Sequence, residues 1–291
     1  EGVGIVLDKI ARDAIEGYPE ALNAISPELG DCNKEELKVI LQNSLHTLSK
    51  IANAACKGHP DALNAISTEL RSFTKEELKG IFQASSHTLN AIAYAACKGH
   101  PDALNAIIWQ LRSFSKEKLE GIFQRSPHTL DNIAHAAYKG HPDALNAISG
   151  QLRSFSQEEL KAIFQRSPHT LKQITIAAAC EGYPDALNAI SGQLAKFDKD
   201  ELKAIFQASP GTLNYIAFAA CKGHPGALNA ISTKLRSFTK EELKGIFQRS
   251  PHTLDNIAFV AYKGHPDALN AISQELAKFD KDELKVIFQR S

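Results

Sequence analysis

The stretch HPDALNAIIWQLRSFSKEKLEGIFQRSPHTLDNIAHAAYKG, residues 100–140, decides the fold. After Gly99, Pro101 opens a segment in which Leu104, Ile107 and Leu111 recur at the three-and-four spacing of a buried helical stripe, ending near Ser113. A second helix starts after Ser115. In the equivalent stretch Thr74-Lys75-Glu76-Glu77, the Thr hydroxyl and the Glu three residues on can each satisfy an orphan backbone amide, which is a capping box. The core face of this helix is Leu119, Ile122 and Phe123. It stops at Ser126-Pro127, where Ser126 can cap and Pro127 can take the first position of a third helix. That helix carries Leu130, Ile133, Ala134 and Ala137 inward and ends at Lys139-Gly140, a cation in the last turn followed by a left-handed stop residue.

Working outward, the same phrase recurs along the chain. Its Pro stands at Pro19, Pro60, Pro101, Pro142, Pro184, Pro225 and Pro266, at intervals of 41 residues except for one of 42. Self-similarity at such a period marks a solenoid, in which each block buries its apolar face only against its neighbours. The fold expected is an all-α solenoid of armadillo or HEAT scale with about seven three-helix repeats and no strand. The units fall at approximately 1–17 (partial), 18–58, 59–99, 100–140, 141–182, 183–223, 224–264 and 265–291 (partial), within a single array over 1–291. The longer interval places eleven steps instead of ten between Leu171 and Gly182, which predicts a bulge or an overwound final turn in that one third helix. The absence of Met at position 1, with both end repeats cut mid-unit, predicts a repeat region excised from a longer protein.

Composition excludes several classes. Lys plus Arg and Asp plus Glu are 33 each, so no net field steers a polyelectrolyte and any charge argument rests on where the charges lie. No run of 18 apolar residues is present and the start lacks the order of a signal peptide. Cys56, Cys97, Cys180 and Cys221 hold one repeat position that Tyr138 and Tyr262 take elsewhere. That interchange points to reduced, packing thiols in an intracellular, reducing compartment and away from a disulfide framework or a metal site. There is no glycine-rich phosphate loop, no His-Glu-x-x-His helix and no nucleophile elbow, and most of the 11 histidines belong to two repeated positions. The expectation is a non-enzymatic monomer without cofactor or metal.

Because the units are near copies, their differences carry information. The two residues after the first Leu of the third helix are Asp8-Lys9, Ser49-Lys50, Asn90-Ala91, Asp131-Asn132, Lys172-Gln173, Asn214-Tyr215 and Asp255-Asn256. A third variable site is Arg12, Asn53, Tyr94, His135, Ile176, Phe218 and Phe259. By wheel arithmetic these lie away from the packing stripe, so they are expected to be exposed along one recognition face. Drift on solvated positions is the bland alternative, and the aromatics Tyr94, Tyr215, Phe218 and Phe259 weigh against it. The Asn, Asp, Ser and Gln choices can pair with base edges or with peptide backbones.

Other features repeat unchanged. Asn64, Asn105, Asn146, Asn188, Asn229 and Asn270, with Asn23, form a polar ladder on the first helices, either a buried tie between repeats or a grip on a polymer backbone. The junction before the third helix is free of acids: Arg125, Arg166, Arg249 and Arg290, with His128, His169 and His252, recur beside a helix N-terminus. Cations and free amides together favour anions, and a phosphate-binding edge is the functional reading beside plain surface solubility.

The stretch Phe155-Ser156-Gln157-Glu158-Glu159-Leu160 through Ile163 and Leu171 resembles the repeats of transcription-activator-like DNA-binding effectors, with a short helix, a loop and a second helix in succession. The phrase Leu-(Arg)-Ser-Phe-(Ser/Thr)-x-Glu-(Glu/Lys)-Leu is similar to octotricopeptide-type repeats, which bind RNA. The 41-residue period is longer than in either group. The resemblance implies a modular nucleic-acid reader, DNA or RNA, and an effector acting inside a host cell. An armadillo-like scaffold for an extended peptide or partner protein is the second expectation.

Overall fold

The computed structural model describes residues 2–289. Among them every regular element is a helix, in the order the repeats predict. The first helix of each repeat is α2 (Glu20–Asp31), α5 (Asp61–Leu70), α8 and α9 (Asp102–Ala106 and Ile108–Ser113), α12 (Asp143–Leu152), α15 (Asp185–Leu194), α18 (Gly226–Leu235) and α21 (Asp267–Leu276). The second is α3 (Lys34–Asn43), α6 (Lys75–Ala84), α10 (Lys116–Arg125), α13 (Gln157–Arg166), α16 (Lys199–Ala208), α19 (Lys240–Arg249) and α22 (Lys281–Gln289). The third is α1 (Gly2–Ile15), α4 (Thr47–Cys56), α7 (Thr88–Cys97), α11 (Thr129–Tyr138), α14 (Thr170–Glu181), α17 (Thr212–Cys221) and α20 (Thr253–Tyr262). Contacts group the chain into two compact units, Glu1–Ile148 and Ser149–Ser291, each a helical-repeat solenoid.

Within each unit like stacks on like. First helices pack on first helices, as α2 on α5 and α15 on α18, and third helices pack on third helices, as α4 on α7 and α17 on α20. The second helices meet one another sparsely. Leu104, Ile107, Leu111, Leu119, Leu130 and Ile133 are fully buried, as their spacing predicts. Truncating one of them to Ala would cost about 2–5 kcal/mol. Small residues set the closeness of the third-helix stack, where Ala134, Ala136 and Ala137 are inaccessible to solvent.

The caps account for the element ends. Thr74, Ser156, Asp198 and Thr239 each form a full capping box with the Glu three residues on. Third helices leave through a left-handed glycine: Gly58 has φ +99°, its N–H reaches the Ala55 carbonyl and the His59 N–H reaches Ala54, a Schellman cap. The inserted residue of the 141–182 unit is absorbed as a bulge at the helix end, the first of the two expectations, and not as an overwound turn. Helix α14 runs to 12 residues, and the Gly182 and Tyr183 N–H groups both reach back to the Ala177 carbonyl, a widened final turn. The extra residue advances the phase by about 100°, and Cys180 is exposed where Cys97 is buried.

Two further expectations are corrected. Pro127 does not begin the third helix. Ser126 through His128 form a tight turn, and α11 starts at Thr129, whose hydroxyl donates to the Ser126 carbonyl. The first helix of the 100–140 unit is broken at Ile107. Past the break, Gln110 is buried and its amide donates to the carbonyls of Arg71 and Phe73, which end the preceding first helix.

Candidate ligand face on the third helices

The variable positions separate into two kinds. At the first two sites, expected to be exposed, the side chains instead turn toward the neighbouring repeat. Ser49 and Ala91 are buried, Asp8, Lys50, Asn90, Asp131, Asn132, Lys172, Gln173, Asn214, Tyr215 and Asn256 are half-buried, and Lys9 and Asp255 are exposed. The second site of one repeat meets the first site of the repeat before it. Lys50 pairs with Asp8, the Asn132 amide donates to Asn90 Oδ1 at 2.6 Å and the Asn256 amide donates to Asn214 Oδ1 at 2.6 Å. The stem of Lys172 and the ring of Tyr215 both lie against Gly211, whose φ of +92° and missing side chain leave room for them. Packing between repeats, absent from a one-repeat wheel, is the reason the expectation of exposure fails.

The third site stays open. Tyr94 and Phe259 are exposed, Asn53, His135 and Phe218 are half-buried, and Ile176 is buried. One turn on stands the lysine of the helix end. Lys98 lies over the Tyr94 ring at 5.2 Å, Lys222 over Phe218 at 5.1 Å and Lys263 over Phe259 at 5.2 Å. Two helices add a second ring. His135 stacks on Tyr138, itself under Lys139, and Phe259 lies beside Tyr262. Burial, then Lys139 and Lys98, hold the His135 imidazole below its ordinary pKa despite Asp131, so it is neutral and aromatic at pH 7. These lysines, and Tyr138 and Tyr262, escaped the sequence reading because a cation in a last turn is already explained by the helix dipole. Their spacing from the third site, four residues for the lysines and three for the tyrosines, was the available signal.

The junction histidines work between repeats. Nδ1 of His46, His87 and His169 lies 3.1, 3.1 and 2.9 Å from the hydroxyls of Ser85, Ser126 and Ser209 in the next repeat. All five junction histidines, His46, His87, His128, His169 and His252, are exposed. Arg125, Arg166 and Arg249 are exposed, and Arg249 donates to the Gln207 carbonyl at the end of the previous second helix, 3.1 Å away. Arg290 lies outside the described residues. On the polar ladder, Asn105, Asn188 and Asn270 are exposed and Asn64, Asn146 and Asn229 half-buried. The Oδ1 atoms of Asn23, Asn64, Asn146 and Asn229 are shielded from water without a hydrogen-bond donor, so neither a tie between repeats nor a ligand grip is visible there.

The thiols knit third helices together. Cys56, Cys97 and Cys221 donate to the carbonyls of Ala91, Asn132 and Asn256 at 3.4, 3.2 and 3.5 Å. Burial pushes Cys56 to about 11, and burial with Asp131 pushes Cys97 to about 12, so both are held as thiols. Among the described residues no cluster of His, Cys, Asp or Glu is placed to hold a metal ion, and no helix is long and apolar enough to cross a membrane.

No protein-family model, curated protein or solved structure matches this chain.

Proposed function

We propose that the chain is a non-enzymatic modular scaffold that binds an extended single-stranded nucleic acid along the third helices. The observation that carries this reading is the repeated couple of an open aromatic ring and a lysine one turn on, at Tyr94/Lys98, His135/Lys139, Phe218/Lys222 and Phe259/Lys263. An aromatic face stacks any base and a nearby cation meets its phosphate, the two parts of a single-strand site. Four of the seven third helices, α7, α11, α17 and α20, present such a couple, and one base per helical repeat is a workable register for a single strand. The phosphate contacts then come chiefly from the helix-end lysines, with Arg125 and Arg166 as exposed additions on the second helices.

A second reading, an extended acidic peptide on the same row, is favoured by the balance of 33 cations and 33 anions, which provides no general attraction for a polyanion. Salt dependence separates the two. For a single-stranded oligonucleotide the logarithm of affinity should fall with the logarithm of salt by about 0.7 per phosphate contact. Lys98→Ala, Lys222→Ala and Lys263→Ala should each flatten the slope by about that amount. An absence of oligonucleotide binding at low ionic strength, with retention of an acidic peptide, would transfer the face to the second reading.

A further inference from the structure

The second helices carry a repeated ionic clamp that changes on both sides of α10: Lys118 replaces its carboxylate toward α6, and Glu120 replaces its second lysine toward α13. Lys34 and Lys38 bracket Glu77 at 2.9 and 3.0 Å, Lys199 and Lys203 bracket Glu242 at 2.8 and 2.9 Å, and Lys240 and Lys244 bracket Glu283 at 2.7 and 3.0 Å. Where Gln157 replaces the first lysine, its amide and Lys161 still bracket Glu201 at 3.0 and 3.1 Å. In each case the third residue of one second helix is a carboxylate, and two donors on the preceding second helix hold its oxygens.

In α10 the pattern KEELKG has become KEKLEG, so Lys118 stands where the carboxylate belongs. Ser115 still caps the Lys118 N–H, but the reciprocal half of the capping box is gone. Lys75 and Lys79 of α6 occupy the donor positions of the clamp and reach only the exposed Glu76, at 3.9 and 3.7 Å. Lys118 has no carboxylate partner among the described residues. Burial, then Lys79 and Arg125, lower its pKa against the pull of Glu76. Beside it a cavity of about 220 Å³ is lined by Gln83, Ser115, Glu117, Lys118, Gly121 and Arg125. Lys75, Lys79, Lys118 and Arg125 thus face Glu76 and Glu117, an excess of positive charge.

We propose that the α6/α10 junction is a binding site for a phosphate group, which takes the place of the missing clamp carboxylate between Lys75, Lys79 and Lys118, with Arg125 at its edge. The geometry of the intact clamps shows that two lysines so placed hold two oxygens of one anion. This goes beyond the reading of the third helices and stands without it, because the site lies on the second helices.

The test uses the whole chain and inorganic phosphate, followed by the phosphorus NMR line width, with Lys118→Glu as the variant. That substitution restores the clamp carboxylate found at this position in the other second helices, so it is expected to fold and to raise the thermal midpoint by a few degrees. The wild type should broaden the phosphate signal saturably, and Lys118→Glu should weaken the affinity by about tenfold or more, the loss of a charge-assisted contact compounded by repulsion. Lys79→Ala should weaken it by a smaller factor. A single-stranded oligonucleotide then tells the sources apart. If Lys118→Glu also flattens its salt slope by about 0.7, the phosphate belongs to a backbone; if the slope is unchanged, it is a free phosphate or a small phosphate ester. No saturable broadening, or equal broadening by Lys118→Glu, overturns the site.

Discussion

On one helix face, two kinds of variable position lie a turn apart and are put to different use. Asn90 and Asn132, or Asn214 and Asn256, spend their amides on each other across a repeat boundary. Tyr94 and Phe259, on the same helices, contact their own lysines and, for Phe259, the Tyr262 ring, and remain exposed. Variation between near-identical repeats is therefore not by itself a sign of recognition. At the paired sites it keeps neighbouring repeats complementary, and only the third site is left free for a ligand.

Stability measurements can break this distinction. The largest effect is expected at Asp8 and Lys50, whose side chains are about four-fifths buried. Asp8→Lys sets two ammonium groups against each other and should cost about 2–3 kcal/mol, while the exchange Asp8→Lys with Lys50→Asp should recover most of it in denaturant titration. Additive losses in the double variant would remove the pairing. A smaller effect, about 1 kcal/mol, is expected for Asn132→Leu, which leaves the half-buried Asn90 amide without its partner. Phe259→Ala should sit at the bottom of the scale, within about 0.5 kcal/mol of the wild type, because an exposed ring gives up little on truncation. A loss at Phe259 equal to that at Asn132 would show that the third site, too, is structural.

The clamps add a pH dependence with a definite sign. Glu77 is held at about 2 by the Thr74 N–H and, against burial, by Lys34 and Lys38; Glu283 is held at about 2 by Lys240, the Asp280 N–H and Lys244. Glu242 is held at about 2 by Lys199, the Thr239 N–H and Lys203 against the cost of burial. A carboxylate whose pKa falls on folding stabilises the fold fully above its ordinary value of 4.5 and loses that contribution as the pH drops toward 2. The thermal midpoint should be flat through neutral pH and decline between about pH 4.5 and 2. A midpoint insensitive to pH over that range would show that the clamps contribute nothing.

Much of the fold was legible in one repeat, because caps and the three-and-four stripe are local. Thr74 with Glu77, the Leu104/Ile107/Leu111 row and Gly58 each act within a few residues of themselves. What was hidden depends on how one repeat meets the next. The Asp8/Lys50, Asn90/Asn132 and Asn214/Asn256 pairs are each 42 residues apart, one more than the repeat. Compared column by column they look like unrelated variation; compared along that diagonal they are complementary. His87 was hidden in the same way, since its imidazole meets Ser126 in the following repeat. The break at Ile107 goes with a neighbour as well, the Gln110 amide meeting the carbonyls of Arg71 and Phe73.

The division between paired and open sites meets its most direct test in binding. A labelled single-stranded oligonucleotide titrated at low salt against the wild type and against the combined variant Tyr94→Ala, Phe218→Ala and Phe259→Ala compares the open rings with the rest of the chain. With stacking on an aromatic contributing about 1–3 kcal/mol per base, affinity should fall by about a hundredfold or more while the thermal midpoint stays put. Unchanged affinity in the combined variant, or loss of binding on replacing Asn132 alone, would contradict the assignment of the third site as the ligand face.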